Sequence, residues 1–355
     1  MKRIGNLFEK IISIENLRRA DEKARRGKKH SYGVRVHDKN RERNLEELHE
    51  RLLTGTFRTS EYSVFTIHEP KERVIYRLPY YPDRIVHHAI MNVLEETWTR
   101  TLTQNTYACM KGRGIEGCAR RVRKMIRMFD GGPLYCLKID IKKFYPSISH
   151  RVLKGIVRRK IKDRDVLGLI DEIVDSAPGL PIGNYLSQYL ANLTLCYFMH
   201  WVNEEMAREV KERLGLKEKP RIEAAEYADD IVFLAASKDV LHEAMKLVRE
   251  KIEGELELRV KENWQVFPIA ENKQDRRGRA LDYVGYQFFR RQTLMRKSIK
   301  KKMCRKAARL EKAKEPLTDK AFKQAMSPWL GWAKHSDSRN LIKKVITNKR
   351  KDLKL

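Results

Sequence analysis

Residues 222–235 read Ile222-Glu223-Ala224-Ala225-Glu226-Tyr227-Ala228-Asp229-Asp230-Ile231-Val232-Phe233-Leu234-Ala235. Two β-prone runs flank a pair of carboxylates, the pattern of a hairpin with acids at its tip. Two acids on a tight turn can hold divalent cations, because hard Mg²⁺ takes oxygen ligands and shares its shell with substrate phosphates. Two such ions about 3.5–4 Å apart are the machinery of nucleotide polymerisation. Taken by itself, the tetrapeptide Tyr227-Ala228-Asp229-Asp230 reads equally well as an acidic β-turn, where Asp is common.

Upstream, Gly131-Gly132-Pro133 breaks the chain, and Leu134 to Ile141 reads as a buried strand that carries Asp140 near its end. A carboxylate there is costly unless it is paired or metal-bound. Alone, Asp140 reads as a helix N-cap. Beside Asp229 and Asp230 it supplies a third oxygen ligand, and adjacent acids need cations to offset their repulsion. Helices are expected over residues 13–26 with Ser13 as cap, 45–53, 85–98, 150–176, 184–205 and 239–253, followed by a basic helical tail. Residues 61–77 read as a hairpin around 69–73, and strand pieces are expected at 256–270 and 281–289. Strands and helices mixed without βαβ regularity predict an α+β fold.

The 355 residues carry a formal net charge of +29, beyond what solubility requires. So basic a chain is expected to meet a polyanion, most often nucleic acid. Residues 291–355 hold 21 Lys/Arg against 5 Asp/Glu, so more than half of the excess sits in the last fifth of the chain. Five scattered cysteines without C-x-x-C spacing argue against structural zinc and suit a reducing cytosol. The first residues lack the apolar core of a signal peptide, and no run approaches a membrane span. A cytoplasmic protein is expected.

Three strings together resemble motifs A, B and C of reverse transcriptases. They are Lys138-Ile139-Asp140-Ile141-Lys142-Lys143-Phe144-Tyr145-Pro146-Ser147-Ile148, then Gly179-Leu180-Pro181-Ile182-Gly183-Asn184-Tyr185-Leu186-Ser187-Gln188, then Tyr227-Ala228-Asp229-Asp230. Upstream, Glu69-Pro70-Lys71-Glu72-Arg73 and Asp83-Arg84-Ile85-Val86 resemble the fingers of group II intron-like enzymes. Downstream, Leu281-Asp282-Tyr283-Val284-Gly285-Tyr286 is similar to a primer grip. Most group II-like enzymes carry Gln-Gly and Ser-Pro in motif B. The Ile182-Gly183 and Ser187-Gln188 found here resemble the enzymes of diversity-generating retroelements, as do Asn263-Trp264-Gln265-Val266-Phe267-Pro268, Arg296-Lys297-Ser298-Ile299-Lys300 and residues 329–335.

The resemblance implies a right-hand polymerase fold with an antiparallel palm sheet. It places N-terminal helices, fingers and the start of the palm in residues 1–133, the palm with motifs A to E in 134–290 and a basic helical thumb in 291–355. It implies RNA-templated DNA synthesis, error-prone at template adenines, by a bacterial, archaeal or phage-encoded enzyme. Two Mg²⁺ ions, with Mn²⁺ as a substitute, would be held by Asp140, Ile141, Asp229 and Asp230. Around the dNTP it places Lys71, Arg73, Phe144, Tyr145, Ile182, Gly183, Gln188 and Lys261. Tyr145 occupies the steric-gate position that excludes a ribose 2′-hydroxyl, and Lys261 the position of a general acid for pyrophosphate. Template RNA and the RNA/cDNA duplex would meet Tyr283, Gly285, Tyr286, Arg296, Lys297, Lys300, Lys301 and Lys302. A small basic pentameric accessory protein is the implied partner. Without the motifs, Lys71 and Arg73 read as a solvated charge pair, Tyr145 as a core aromatic, Lys261 as a surface lysine and Asp83-Arg84 as an ion pair. The rival functions are a stand-alone group II-like or defence-associated reverse transcriptase, and an inactive RNA-binding scaffold.

Overall fold

The expected helix after residue 13 is present as Ile14–Ala24, with the Ser13 side chain accepting from Asn16 N–H at its start. It packs against Arg41–Leu53 and Ile85–Thr101, with Leu17, Leu45, Leu48, Ile90 and Leu94 fully buried. Each such leucine contributes about 1.5–3 kcal/mol by leaving water. The computed structural model describes residues 3–68, 72–312 and 317–347. They divide into two units, each assembled from separate stretches.

The first unit comprises Met1–Cys109, Asp140–Glu204 and Leu247–Glu262. Its hairpin pairs β1 (Ser63–Ile67) with β2 (Arg73–Arg77), Phe65 opposite Ile75. The helix expected over 150–176 is two, His150–Arg158 and Arg164–Asp175. Asp163 causes the break. One carboxylate oxygen accepts from Val166 N–H and caps the second helix, while the other accepts from Leu7 and Phe8 N–H. Asp83 is fully buried and accepts from Ser60 N–H at 3.0 Å, and burial pushes its carboxyl above the usual range. Among the described residues it forms no ion pair with Arg84; the local partner is an amide.

The second unit comprises Met110–Ile139, Glu205–Lys246 and Asn263–Leu355. A four-stranded sheet runs β4-β5-β3-β6, formed by β3 (Tyr135–Asp140), β4 (Glu223–Tyr227), β5 (Asp230–Ala235) and β6 (Gln265–Pro268). β4 pairs antiparallel with β5, and β3 with β6. A second, antiparallel sheet runs β7 (Leu281–Tyr283), β8 (Tyr286–Phe288), β9 (Thr293–Met295). The helix Gly114–Arg127 buries Cys118, Val122, Met125 and Ile126. In the tail, Lys297–Glu311 and Asp319–Lys334 close over Met303, Ala307, Phe322 and Met326, with Trp329 and Trp332 packed on that cluster. Among the described residues no helix is long and apolar enough to cross a membrane.

Candidate active site

The acidic hairpin forms as read. Tyr227 pairs with Asp230, leaving Ala228 and Asp229 as a two-residue turn. Ala228 takes φ +56, the left-handed conformation that such turns demand at their first position. A residue with a Cβ is strained there by about 1–2 kcal/mol, and strain of this kind collects at functional sites.

β3 lies next to β5 in the sheet and ends at Asp140, which is counted with the first unit. Within that unit the Asp140 carboxylate forms an ion pair with Lys261 Nζ, and Asp140 C=O accepts from Lys261 N–H at 2.9 Å. Sequence distance hid this contact, which sets Lys261 beside a candidate metal ligand. Ile141 is fully buried in an antiparallel bridge to Val260, so only its main chain can serve a ligand. Within the second unit, Lys138 Nζ lies 3.3 Å from Asp230 Oδ1 and donates to Asp282 C=O at 3.0 Å. Its ammonium also sits 5.6 Å from the Tyr283 ring centre. Lys138 drew no attention in the sequence.

These carboxylates fit a divalent cation by donor type, since hard oxygens suit Mg²⁺. Oδ1 of Asp140, the oxygen that Lys261 Nζ approaches, is shielded from solvent and among the described residues has no well-directed hydrogen bond. Among the described residues, no three His, Cys, Asp or Glu side chains are gathered tightly enough to hold an ion as they stand.

The first unit also contains the described residues expected around a dNTP. Tyr145 is half-buried, and its C=O accepts from Leu180 N–H at 2.8 Å. Gly179, at φ +61, lies so close that an added Cβ would stand 2.5 Å from Pro146 O and 2.6 Å from Tyr145 O. His150 Nε2 contacts Gly179 O at 2.9 Å. Gly179 thus joins motif A to motif B. Ile182 C=O accepts from Tyr76 N–H on β2 at 2.9 Å. Gly183, at φ +121, admits the Tyr76 carbonyl, which an added Cβ would meet at 2.9 Å. The β1–β2 hairpin is thereby held on the motif B loop. Arg73 opens β2 and is exposed, as is Gln188 on the helix Tyr185–Glu204. Phe144 is buried edge-on to Tyr145, its ring in the core. Lys71 lies outside the described residues, as do Glu69 and Pro70.

Tyr283 and Tyr286 are placed differently from the expectation of rings on nucleic acid. Both are buried, because β7 and β8 need apolar anchors beneath a short sheet. Tyr283 Oη donates to Asp230 O at 2.7 Å and lies 3.2 Å from Ala225 O. Burial drives its phenol well above the usual range and pushes the neighbouring Cys118 thiol up to about 12. Tyr283 is therefore a prop under the acidic hairpin. The Tyr286 ring packs 5.1 Å from that of Trp332. Any hold on nucleic acid falls to the turn between them, where Gly285 at φ +85 admits Trp332 and Ile299. Arg296 precedes the helix Lys297–Glu311 and pairs with Asp282, donating from Nε at 2.6 Å. Lys297, Lys300, Lys301 and Lys302 are exposed on that helix, which buries Met303 and Ala307.

Several known proteins are distantly similar to this chain. The chain is 23% identical over 216 residues to Protein YkfC of Escherichia coli (strain K12), covering 52% of this chain and 56% of that one. It is 26% identical over 93 residues to Nuclear intron maturase 1, mitochondrial, of Arabidopsis thaliana, covering 26% of this chain and 12% of the relative. The chain therefore spans little more than half of YkfC and far less of the maturase. Apo telomerase from Candida tropicalis aligns at a TM-score of 0.49 and 10% identity, over 81% of this chain and 58% of that one; so slight a likeness adds nothing to the family assignment. The family model described as reverse transcriptase (RNA-dependent DNA polymerase) matches residues 68–287. The fold class is the expected α+β, right-hand polymerase fold. That match spans well over half of the sequence, and the chain belongs to the reverse transcriptase family.

Proposed function

We propose that this protein is an RNA-directed DNA polymerase that copies a template RNA into cDNA. The observation that carries the reading is the strained acidic turn Ala228-Asp229-Asp230, at the start of a strand whose sheet neighbour ends in Asp140. Reverse transcriptases use divalent metal ions. Bound by Asp140, Asp229, Asp230 and the Ile141 main chain, Mg²⁺ would lower the pKa of the primer 3′-hydroxyl and neutralise the triphosphate. The protein's own residues do the rest. Arg73 and Lys71 supply cationic donors to phosphate oxygens. Tyr145, held by Leu180 and Gly179, presents a ring against a ribose 2′-hydroxyl and so selects dNTPs. Lys261, beside Asp140, is placed to give a proton to departing pyrophosphate. The exposed lysines of Lys297–Glu311 track the RNA/cDNA backbone.

Within that activity the assignment is a diversity-generating retroelement, with a small basic pentameric accessory protein as partner. Its support is the motif B variant. Ile182 replaces a Gln whose polar side chain would face the nascent pair, and apolar shape discriminates less than a hydrogen bond does. The test is primer extension on a defined RNA with Mg²⁺ and dNTPs, followed by cDNA sequencing. Product is expected from the native chain, supplemented where needed with cognate RNA and accessory protein. No product is expected from an Asp229→Ala/Asp230→Ala variant. Errors should concentrate opposite template adenines and diminish in Ile182→Gln. Faithful product would refute the retroelement assignment and leave the stand-alone enzyme. Lack of product with every component added would return the chain to an inactive scaffold.

A further inference from the structure

A cavity of about 430 Å³ opens in the second unit between the C-terminal half of the 114–127 helix, the β8–β9 turn and the end of the 319–334 helix. Its walls carry Arg123, Arg127, Arg290, Arg291 and Lys334, five permanent cations against the single carboxylate of Asp337. That carboxylate is engaged, accepting from Thr293 N–H at 2.7 Å. Arg290 and Arg291 share Glu271. Arg123 is different. Its guanidinium is half-buried and donates to His335 C=O; the Asp337 charge acts on it, but among the described residues no carboxylate lies within ion-pair distance. Arg127 and Lys334 are exposed and have no ion-pair partner there either. Gathering like charges around a partly desolvated guanidinium is unfavourable unless an anion completes the site. Burial holds Arg123 below the usual guanidinium range, with Arg127 and Arg120 acting in the same direction and Tyr286 and Asp337 opposing them.

We propose that this cavity binds the phosphate backbone of RNA at a site apart from Asp229 and Asp230. Along the 114–127 helix, Cys118 meets the Tyr283 hydroxyl beneath Asp230. Arg127 lies nine residues further on, roughly 14 Å at 1.5 Å per residue. The lining offers guanidinium and ammonium groups, while its aromatic ring, Phe289, is buried. Such a surface grips phosphates and leaves bases unread. The choice of RNA rests on the polymerase reading above: the template strand extends beyond the few nucleotides being copied and needs a second hold.

The test uses the full chain with Arg127→Glu and Lys334→Glu combined, both exposed positions that leave Arg123 and the core intact. A control reverses Lys217 and Lys219, so net charge changes equally. Binding is measured by fluorescence anisotropy over a salt series, on a short primer–template duplex and on a long template RNA. The cavity variant should bind the long RNA about ten-fold more weakly, with a salt slope shallower by about 1–2. Its affinity for the short duplex, and extension of it, should match the control. Equal affinity and slope on the long RNA, or an equal loss on both nucleic acids, would overturn the site. Inorganic phosphate or a nucleoside triphosphate that raised the melting temperature of the native chain but not of the variant, without displacing long RNA, would reassign it to a small anion. Failure of extension by the native chain would count against the polymerase reading alone, since binding is read separately.

Discussion

Gly179 and Gly55 share one backbone conformation but have different surroundings, so they separate conformational cost from crowding. Gly55 ends the helix Arg41–Leu53 at φ +68, with nothing within 4 Å of an added Cβ. Gly179 has φ +61 and two carbonyl oxygens within 2.6 Å of that position. Gly55→Ala should cost about 1–2 kcal/mol, the price of a Cβ in the left-handed region. Gly179→Ala should cost about 2–4 kcal/mol, because backbone must also move. Urea unfolding of the two variants gives the comparison. Since motif A carries Tyr145, Gly179→Ala should also raise the KM for dNTP, whereas Gly55→Ala should leave it unchanged. Equal costs would mean that the motif A–B contact gives way easily. At this scale the sequence was legible where chemistry is local. The acids announced themselves by type and neighbours. Lys261 was named only through the family resemblance, because its pairing with Asp140, far away in the chain, leaves no local signal and a lone lysine reads as surface.

At the scale of elements, the acidic hairpin depends on what supports it. Tyr283 donates to Asp230 O and is the fully buried anchor of β7. Tyr283→Phe keeps the ring and removes the donor, leaving a carbonyl poorly satisfied at about 1–3 kcal/mol. Under the proposed function, kcat should fall several-fold while primer–template affinity holds, because the ring still anchors the turn at Gly285. A kcat equal to that of the native chain would show that β5 positions its acids unaided. Element prediction succeeded for β3, which follows Gly131-Gly132-Pro133, and for β4 and β5, two β-prone runs that meet at Asp229 and Asp230. It missed the helix Gly114–Arg127, whose first turn carries Gly114 and Gly117, poor helix formers. That helix forms because Cys118, Val122, Met125 and Ile126 fall on one face and reach a core. The split of 150–176 likewise rests on Asp163 serving Leu7 and Phe8, a tertiary demand that no local pattern states.

Across the whole molecule, charge is both the means of binding and a liability. The net +29 needs little local pattern to be read, but which cations are engaged and which are left for a polyanion emerges only when the chain is folded. Stability toward acid shows the same dependence on tertiary placement. His87 lies in the helix Ile85–Thr101, fully buried, its Nε2 without a hydrogen-bond partner among the described residues. Burial, then the neighbouring His88 and Arg84, lowers its pKa from 6.5 to about 3. Below pH 6.5 the unfolded chain takes up a proton at this position that the folded chain refuses until about pH 3. Stability is therefore intact above 6.5 and declines through that window, by about 2 kcal/mol at pH 5. His88, lowered to about 4 and stacked on Tyr185 at 4.2 Å, adds a loss of the same sign. A His87→Leu variant removes the first contribution and keeps the second. Urea titrations of both chains at pH 7 and pH 5 should show the native protein losing about 2 kcal/mol more than the variant over that interval. Equal losses would mean that the folded chain opens enough around His87 to protonate it, and that the 85–101 helix is not the closed core element described here.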